Sequence, residues 1–332
     1  MQISKIGIPR HGLMMDYQTW NGTQTNFIFQ GDTTYYISGQ FNLWQTNTFE
    51  GGAVIKYTNG ASISIVAARP NGIIWQANAY HPVIFTAKDD NSVGEMLGVS
   101  TGNPMGYYAS SALNPILISG SSPTISYFRI AYANQAVNLQ GNVIPKFYNG
   151  QIVNCQNGFT INGGNPVYLR NLLFYNVQTN FNNLYEINFD IENSTFASSS
   201  YLTTIKNSPS QNVIMYFTNC VFANVTYLTN TYTSGFVTYA VTGNYNGFYN
   251  APAFGTTTTT NNAYPFQAVG AGSFYLTNGC MFRNVGTANI DPVLLSELAQ
   301  KTTWAPILYS NITFLNAVTF SPVVQRDNVS LP

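Results

Sequence analysis

Charge is what this chain has least of. Of its 332 residues only 7% are charged, 12 basic against 12 acidic, where ordinary globular proteins carry roughly 25%. With so few Lys and Arg there is no dense cationic stripe to neutralise phosphates, which excludes a nucleic-acid partner. Histidine is almost missing: His11 and His81 stand far apart. The chain shows no Ser-His-Asp set, HExxH motif or nucleotide loop, and no cofactor is expected. Three cysteines, Cys155, Cys220 and Cys280, are too few for a disulfide framework and lack zinc-type spacing. No apolar run approaches the length of a membrane span. Met1 to Trp20 contains Lys5, Arg10, His11 and Asp16 but no apolar signal-peptide core, so either the chain is a trimmed or mature fragment or an export signal lies elsewhere.

What the chain has is a core. Hydrophobic residues make up 45% and aromatics 15%, which rules out disorder, while Asn, Thr, Ser, Gln and Tyr supply its solubility. An Asn-centred phrase recurs with an aromatic or branched residue three positions on: Asn149-Gly-Gln-Ile152, Asn171-Leu-Leu-Phe174, Asn193-Ser-Thr-Phe196 and Asn219-Cys-Val-Phe222, at separations of 22, 22 and 26. Tyr127-Phe-Arg-Ile130 precedes them, and Asn278-Gly-Cys-Met-Phe282 and Asn311-Ile-Thr-Phe314 follow. A period near 22 is one coil of a parallel β-helix.

Parity orients the strand before each Asn. Position −2 reads Phe147, Leu169, Ile191, Phe217, Leu276 and Tyr309; position −4 reads Pro145, Val167, Phe189, Met215, Phe274 and Ile307. Position −1 reads Tyr148, Arg170, Glu192, Thr218, Thr277 and Ser310. Period-2 alternation therefore points −2 and −4 inward and −1 and −3 outward. Asn149, Asn171, Asn193, Asn219, Asn278 and Asn311 fall at the strand ends, where Asn tolerates left-handed backbone and stacked amides bond from coil to coil, a structural role. A second column follows at Asn154, Asn176, Ser198 and Asn224. Cys220 and Cys280 share a register that allows either a disulfide or two buried thiols. Five sequons (Asn21, Asn193, Asn224, Asn311, Asn328) are what an Asn/Thr/Ser-rich chain yields by chance.

The repeat and chain length predict an all-β, right-handed parallel β-helix of about ten coils over residues 35–325. Residues 1–34 read as an N-terminal arm or cap and 326–332 as a tail. Residues 226–272, rich in Tyr, Asn, Gly and Thr, read as an excursion or irregular coils and a binding surface that would use Tyr245 and Tyr249. Asp291 as N-cap, Pro292 at N1 and an apolar face of Val293, Leu294 and Leu298 predict one short helix over 291–301.

Thr48-Phe-Glu-Gly-Gly-Ala-Val-Ile-Lys-Tyr57, followed by Pro82-Val-Ile-Phe-Thr-Ala-Lys-Asp-Asp90 and Gly94, resembles the opening coils of secreted bacterial right-handed β-helix proteins, pectate-lyase-like solenoids of large surface proteins. The resemblance covers Leu43 to Glu95 and implies fold and export, to the extracellular space or cell surface. It carries no catalytic residue across.

Chemistry has one main candidate. In Glu186-Ile-Asn-Phe-Asp-Ile-Glu192, the residues Glu186, Asn188, Asp190 and Glu192 point outward; one coil earlier Tyr168 underlies Asp190 and Arg170 underlies Glu192, and one coil later Tyr216 lies over Asp190. Carboxylates at i and i+2 on a strand are about 7 Å apart, within the range of inverting glycoside hydrolysis. The alternative is a solvated face with an Arg170–Glu192 ion pair of little worth. Asp89, Asp90 and Glu95 are a weaker cluster that could hold a cation, without EF-hand spacing. These readings converge on a non-catalytic structural or adhesive surface module whose partners are polysaccharides or other glycans. A polysaccharide hydrolase or lyase is the alternative, and a phage tail-spike-like trimer the third.

Overall fold

The computed structural model describes residues 17–67, 72–117, 123–140, 145–162, 166–185, 187–205, 211–230, 237–269 and 272–300. They form a parallel β-solenoid of about nine turns with a single short helix. One coil shows the plan. Strand Lys146–Val153 holds Asn149 at φ 54° in its middle and so bends across two faces; Asn154, also at φ 54°, makes the next corner; Asn157–Asn162 is the third face. Strand residues pair in parallel with their counterparts one coil on, as in Lys146↔Tyr168, Tyr168↔Asp190, Asp190↔Tyr216 and Tyr216↔Thr242.

The corners explain the asparagines. The first corner column is Tyr127, Asn149, Asn171, Asn193, Asn219 and Tyr245, and the second is Tyr132, Asn154, Asn176, Ser198, Asn224 and Asn250, all at φ between 46° and 60°. Left-handed backbone costs an ordinary residue about 1–2 kcal/mol, which Asn offsets through its short polar side chain. The amides also bond along the axis: Asn171 Nδ2 donates to Asn149 Oδ1 at 2.8 Å, Asn176 to Asn154 at 2.8 Å and Asn250 to Asn224 at 2.9 Å.

The inward columns fill the lumen. Phe147, Leu169, Ile191, Phe217, Val167, Phe189 and Met215 are all buried, as parity requires. Residues three after the first corner stack ring on ring: Phe174–Phe196 at 4.7 Å, Phe196–Phe222 at 5.1 Å and Phe222–Phe248 at 5.2 Å, with interplanar angles of 17°, 7° and 10°. The spacing is that of neighbouring strands, and each buried ring contributes roughly 1.5–3 kcal/mol.

Several sequence assignments change. The solenoid begins inside the segment assigned as an arm, because Gln18–Thr25 pairs in parallel with Thr34–Trp44. Of the segment assigned as an excursion or irregular coils, the first part continues the solenoid: Val237–Asn244 pairs with Gln211–Thr218, and Gly247–Tyr249 with the strand below. Tyr245 takes the corner that Asn219 holds one coil earlier. The lumen then closes on Phe254, whose ring lies 5.4, 5.1 and 5.2 Å from Phe217, Phe222 and Phe248.

Asn278 is not a ladder residue. It is exposed in a turn after an antiparallel hairpin, Phe266–Val269 with Gly272–Leu276. Leu276 and Phe274 alternate there because that hairpin rests on an outer apolar patch with Ala197, Ala223, Tyr175 and Tyr249. Beyond the hairpin the chain runs back along the coils as a strap. Asn219 exchanges two bonds with Thr287, Asp291 N donates to Glu192, and Asn149 Nδ2 donates to Glu297. The helix is Pro292–Gln300, capped by Asp291 Oδ1 accepting from the Val293 and Leu294 amides at 3.0 Å. Leu294 is buried but Val293 is exposed. Asn311 and the 326–332 tail lie outside the described residues. Cys155, Cys220 and Cys280 are free and buried.

Candidate functional site

The strand Ile187–Glu192 sends Ile187, Phe189 and Ile191 into the lumen and Asn188, Asp190 and Glu192 outward. Register sets Arg170 beside Glu192 and Tyr168 beside Asp190. The guanidinium engages both acids: Nη2 meets Asp190 Oδ2 at 2.8 Å and Nε meets Glu192 Oε2 at 2.9 Å. Nη1 donates to the carbonyls of Asp190 at 2.7 Å and Leu169 at 3.2 Å, and the guanidinium carbon lies 5.6 Å from the Tyr168 ring centre. Sequence and structure thus agree on the cluster of Arg170, Asp190, Glu192, Tyr168 and Tyr216. Glu186 lies outside the described residues.

Exposure overturns part of the expectation. The −1 column points outward, but Arg170 and Glu192 are only 4% and 8% exposed, because the strap and its helix lie across it. Glu192 Oε2 also accepts from Asp291 N at 2.9 Å. Burial raises the Glu192 carboxyl above its ordinary value, against the opposing pull of the Asp291 amide and Arg170. The ion pair expected to be solvated and weak is instead desolvated, and losing either partner would strand a buried charge. Chemically this is a clamp that docks the helix N-terminus. Asp190, with 39% of its side chain exposed, keeps a carboxylate edge in solvent, flanked along its column by Tyr168 and the 41%-exposed Tyr216.

The remaining candidates separate. Tyr245 is a corner residue at φ 56°, and Tyr249 packs on Tyr264 at 5.6 Å beside the outer apolar patch. A surface recess of about 340 Å³ at the second corner is lined by Asn224, Val225, Thr226, Asn250, Ala251 and Pro252, so none of the candidates borders it.

Asp89 and Asp90 are buried and spent on their own loop. Asp89 accepts from Lys88 Nζ at 2.8 Å, Tyr108 Oη at 2.6 Å and Thr101 N at 2.6 Å. Burial alone would raise its carboxyl, but those bonds outweigh it and hold the group at about 2. Asp90 accepts from Thr86 Oγ1 at 2.6 Å and Ser92 N at 3.0 Å, while the Glu95 side chain is exposed. Among the described residues no group of His, Cys, Asp and Glu is placed to hold a metal ion.

Lys56 is the residue that sequence reasoning missed. It is fully buried, and Nζ donates to the carbonyls of Asp90 at 2.8 Å and Glu95 at 2.7 Å. The two phrases of the resemblance are therefore joined in space by one ammonium. A lone Lys between Ile55 and Tyr57 in a continuous apolar run was the available signal. Burial pushes the Cys155 and Cys220 thiols up to about 12, which removes them as nucleophiles.

The fold defines the chain as a parallel β-solenoid with a strap closing one outer face. Compared with protein-family models and with curated proteins, the chain matches none. Among the described residues no helix is long and apolar enough to cross a membrane.

Proposed function

We propose that this chain is a non-catalytic structural or adhesive module of an extracellular or cell-surface protein, and that it contacts glycans through the outward column Lys146, Tyr168, Asp190 and Tyr216. One observation carries the non-catalytic part: both described carboxylates of the candidate pair bind the same buried guanidinium, and one of them also holds the strap. An acid–base pair needs one group free to give and one free to take a proton at a substrate. Tyrosines above and below a half-exposed carboxylate support the glycan part, since an aromatic face and an acceptor match the apolar faces and hydroxyls of a sugar. The resemblance of Leu43 to Glu95 supports export.

The test is a panel of neutral and acidic polysaccharides, read both for binding and for released reducing ends or unsaturated products. Binding weakened several-fold by Tyr216→Ala, with no cleavage, is the expected result. Cleavage abolished by Asp190→Ala would refute the proposal and favour a polysaccharide hydrolase or lyase, the reading that the exposed Asp190 edge keeps open.

A further inference from the structure

Two segments lie on the outside of the coils, and they rest on opposite kinds of surface. The hairpin of Phe266–Val269 and Gly272–Leu276 covers an apolar patch that includes Ala197, Ala223, Val221 and Tyr175. Exposing such a patch to water is costly, so the hairpin is a permanent cover. The strap covers polar groups instead. Its Asp291 amide meets Glu192, its Glu297 meets Asn149 and its Thr287 meets Asn219. Arg170, paired with Glu192, is buried behind it. Water can solvate each of these groups again if the strap leaves.

The strap is also thinly held. Its fixed end is Phe282, 5% exposed, whose ring lies on Gly247 so closely that a Cβ there would meet Cδ1 at 2.8 Å. None of residues 283–293 is buried, and the next apolar anchor is Leu294, 2% exposed. Closing also sets Asp291 and Glu297 against a face that carries Asp190 and Glu192, with Arg170 as counter-charge. Tyr148 lies among them: burial first, and then Asp291, Glu192 and Glu297, raise its hydroxyl. Few buried contacts and crowded like charges place a segment at the low-stability end of a fold, where local opening occurs.

We infer that residues 283–300 are a lid, hinged after Phe282 and latched by Leu294. Open, the lid uncovers Tyr148, Arg170 and Glu192, which stand in register beside Lys146, Tyr168 and Asp190. Two outward columns, in place of one, then face a sugar chain. The amide of Asp291 no longer occupies Glu192, so that carboxylate is free to accept from a sugar hydroxyl. The gating of sugars rests on the glycan reading, whereas the lid itself does not.

Hydrogen exchange on the full chain without ligand tests the lid, and glycan affinity tests the gating. The helix amides should exchange by a local opening that low urea does not accelerate, while those of Ile187–Glu192 exchange only with global unfolding. Leu294→Ala should speed the helix amides by about tenfold or more and leave Ile187–Glu192 unchanged. Thr287→Pro, which deletes the N–H that Asn219 accepts and lies outside the core, should act in the same direction. Because a closed lid lowers apparent affinity by the fraction that is open, both variants should bind the polysaccharide bound by the wild type several-fold more tightly. Helix amides that exchange only together with Ile187–Glu192 overturn the lid. A faster helix with unchanged or weaker glycan affinity overturns the gating. If neither wild type nor variants bind any polysaccharide, the glycan reading and the gating fall, and exchange alone decides the lid.

Discussion

Replacing Phe196 by alanine tests whether the ring column holds the coils together. Phe196 is fully buried and has stacked neighbours on both sides, Phe174 at 4.7 Å and Phe222 at 5.1 Å, with Phe217 edge-on at 5.7 Å. Lost transfer energy plus the cavity amounts to roughly 3–5 kcal/mol for Phe→Ala. Each stacked pair adds about 0.5–1.5 kcal/mol beyond area burial, which puts Phe196→Ala near the top of that range, about 5 kcal/mol. Phe248, at the last coil, has a single stacked neighbour in its column, Phe222. Phe248→Ala should therefore cost less by about one stacking energy, roughly 1 kcal/mol. Urea unfolding followed by far-UV dichroism gives both values, and a shallower transition would reveal coils melting separately. If Phe196→Ala costs under about 1.5 kcal/mol, or no more than Phe248→Ala, the nearest-neighbour account of the column fails.

Glu192→Ala leaves the buried Arg170 with one carboxylate and Asp291 N without its acceptor. It should destabilise by about 3 kcal/mol and speed hydrogen exchange across Pro292–Gln300; an unchanged helix would show that the strap is held by something else. Asp89 supplies a pH dependence. Its folded value of about 2 lies below the ordinary 3.8, so its contribution is complete above 3.8 and is lost as pH falls through 2. Roughly 2 kcal/mol is at stake, and Asp89→Asn should flatten the acid limb of stability; an acid limb of unchanged steepness contradicts the assignment. Glu192 has the opposite sign: its raised value costs stability as pH rises above 4.5, so any gain on acidification near that value should vanish in Glu192→Gln. At the corner, Asn171 sits at φ 53°. Asn171→Ala should cost about 2 kcal/mol and Asn171→Gly about 1 kcal/mol less, because Gly accepts left-handed backbone freely. Equal losses in thermal unfolding would remove backbone strain as the reason for the Asn column.

The repeat was legible because two independent periods coincide in it. Period 2 fixed the lumen side of each strand, so Phe147, Leu169, Ile191 and Phe217 are all inside, and the 22-residue spacing fixed which residues stack. The last coil was hidden by one substitution at the corner, Tyr245 for Asn. Even so, Phe248 stands three residues after it, as Phe222 does after Asn219, and Tyr127 already serves as a corner. Asn278 misled for a physical reason. An antiparallel hairpin lying on an apolar patch alternates with the same period as a solenoid strand, and Asn-Gly is a turn signal in either setting. Strand pattern says where the side chains of a strand point, not whether the strand lies in the coil or on it.

The same distinction governs the charges. In a chain this poor in ionisable groups each one stands out, and a cluster such as Arg170, Asp190 and Glu192 has the residue types of an active site. A charge taken out of water must be given partners, so structural charges cluster as catalytic ones do. What differs is where the last donor or acceptor points. Lys56, Asp89 and Glu192 direct theirs at backbone or side-chain groups of this chain. Asp190 keeps far more of its side chain in solvent than Glu192, 39% against 11%, which makes Asp190→Ala the substitution that separates scaffold from enzyme. If the site is a non-catalytic surface, its loss loosens Arg170, changes stability and weakens glycan binding with no polysaccharide cleaved by either form; if it is catalytic, turnover falls by orders of magnitude while the strap stays docked through Glu192.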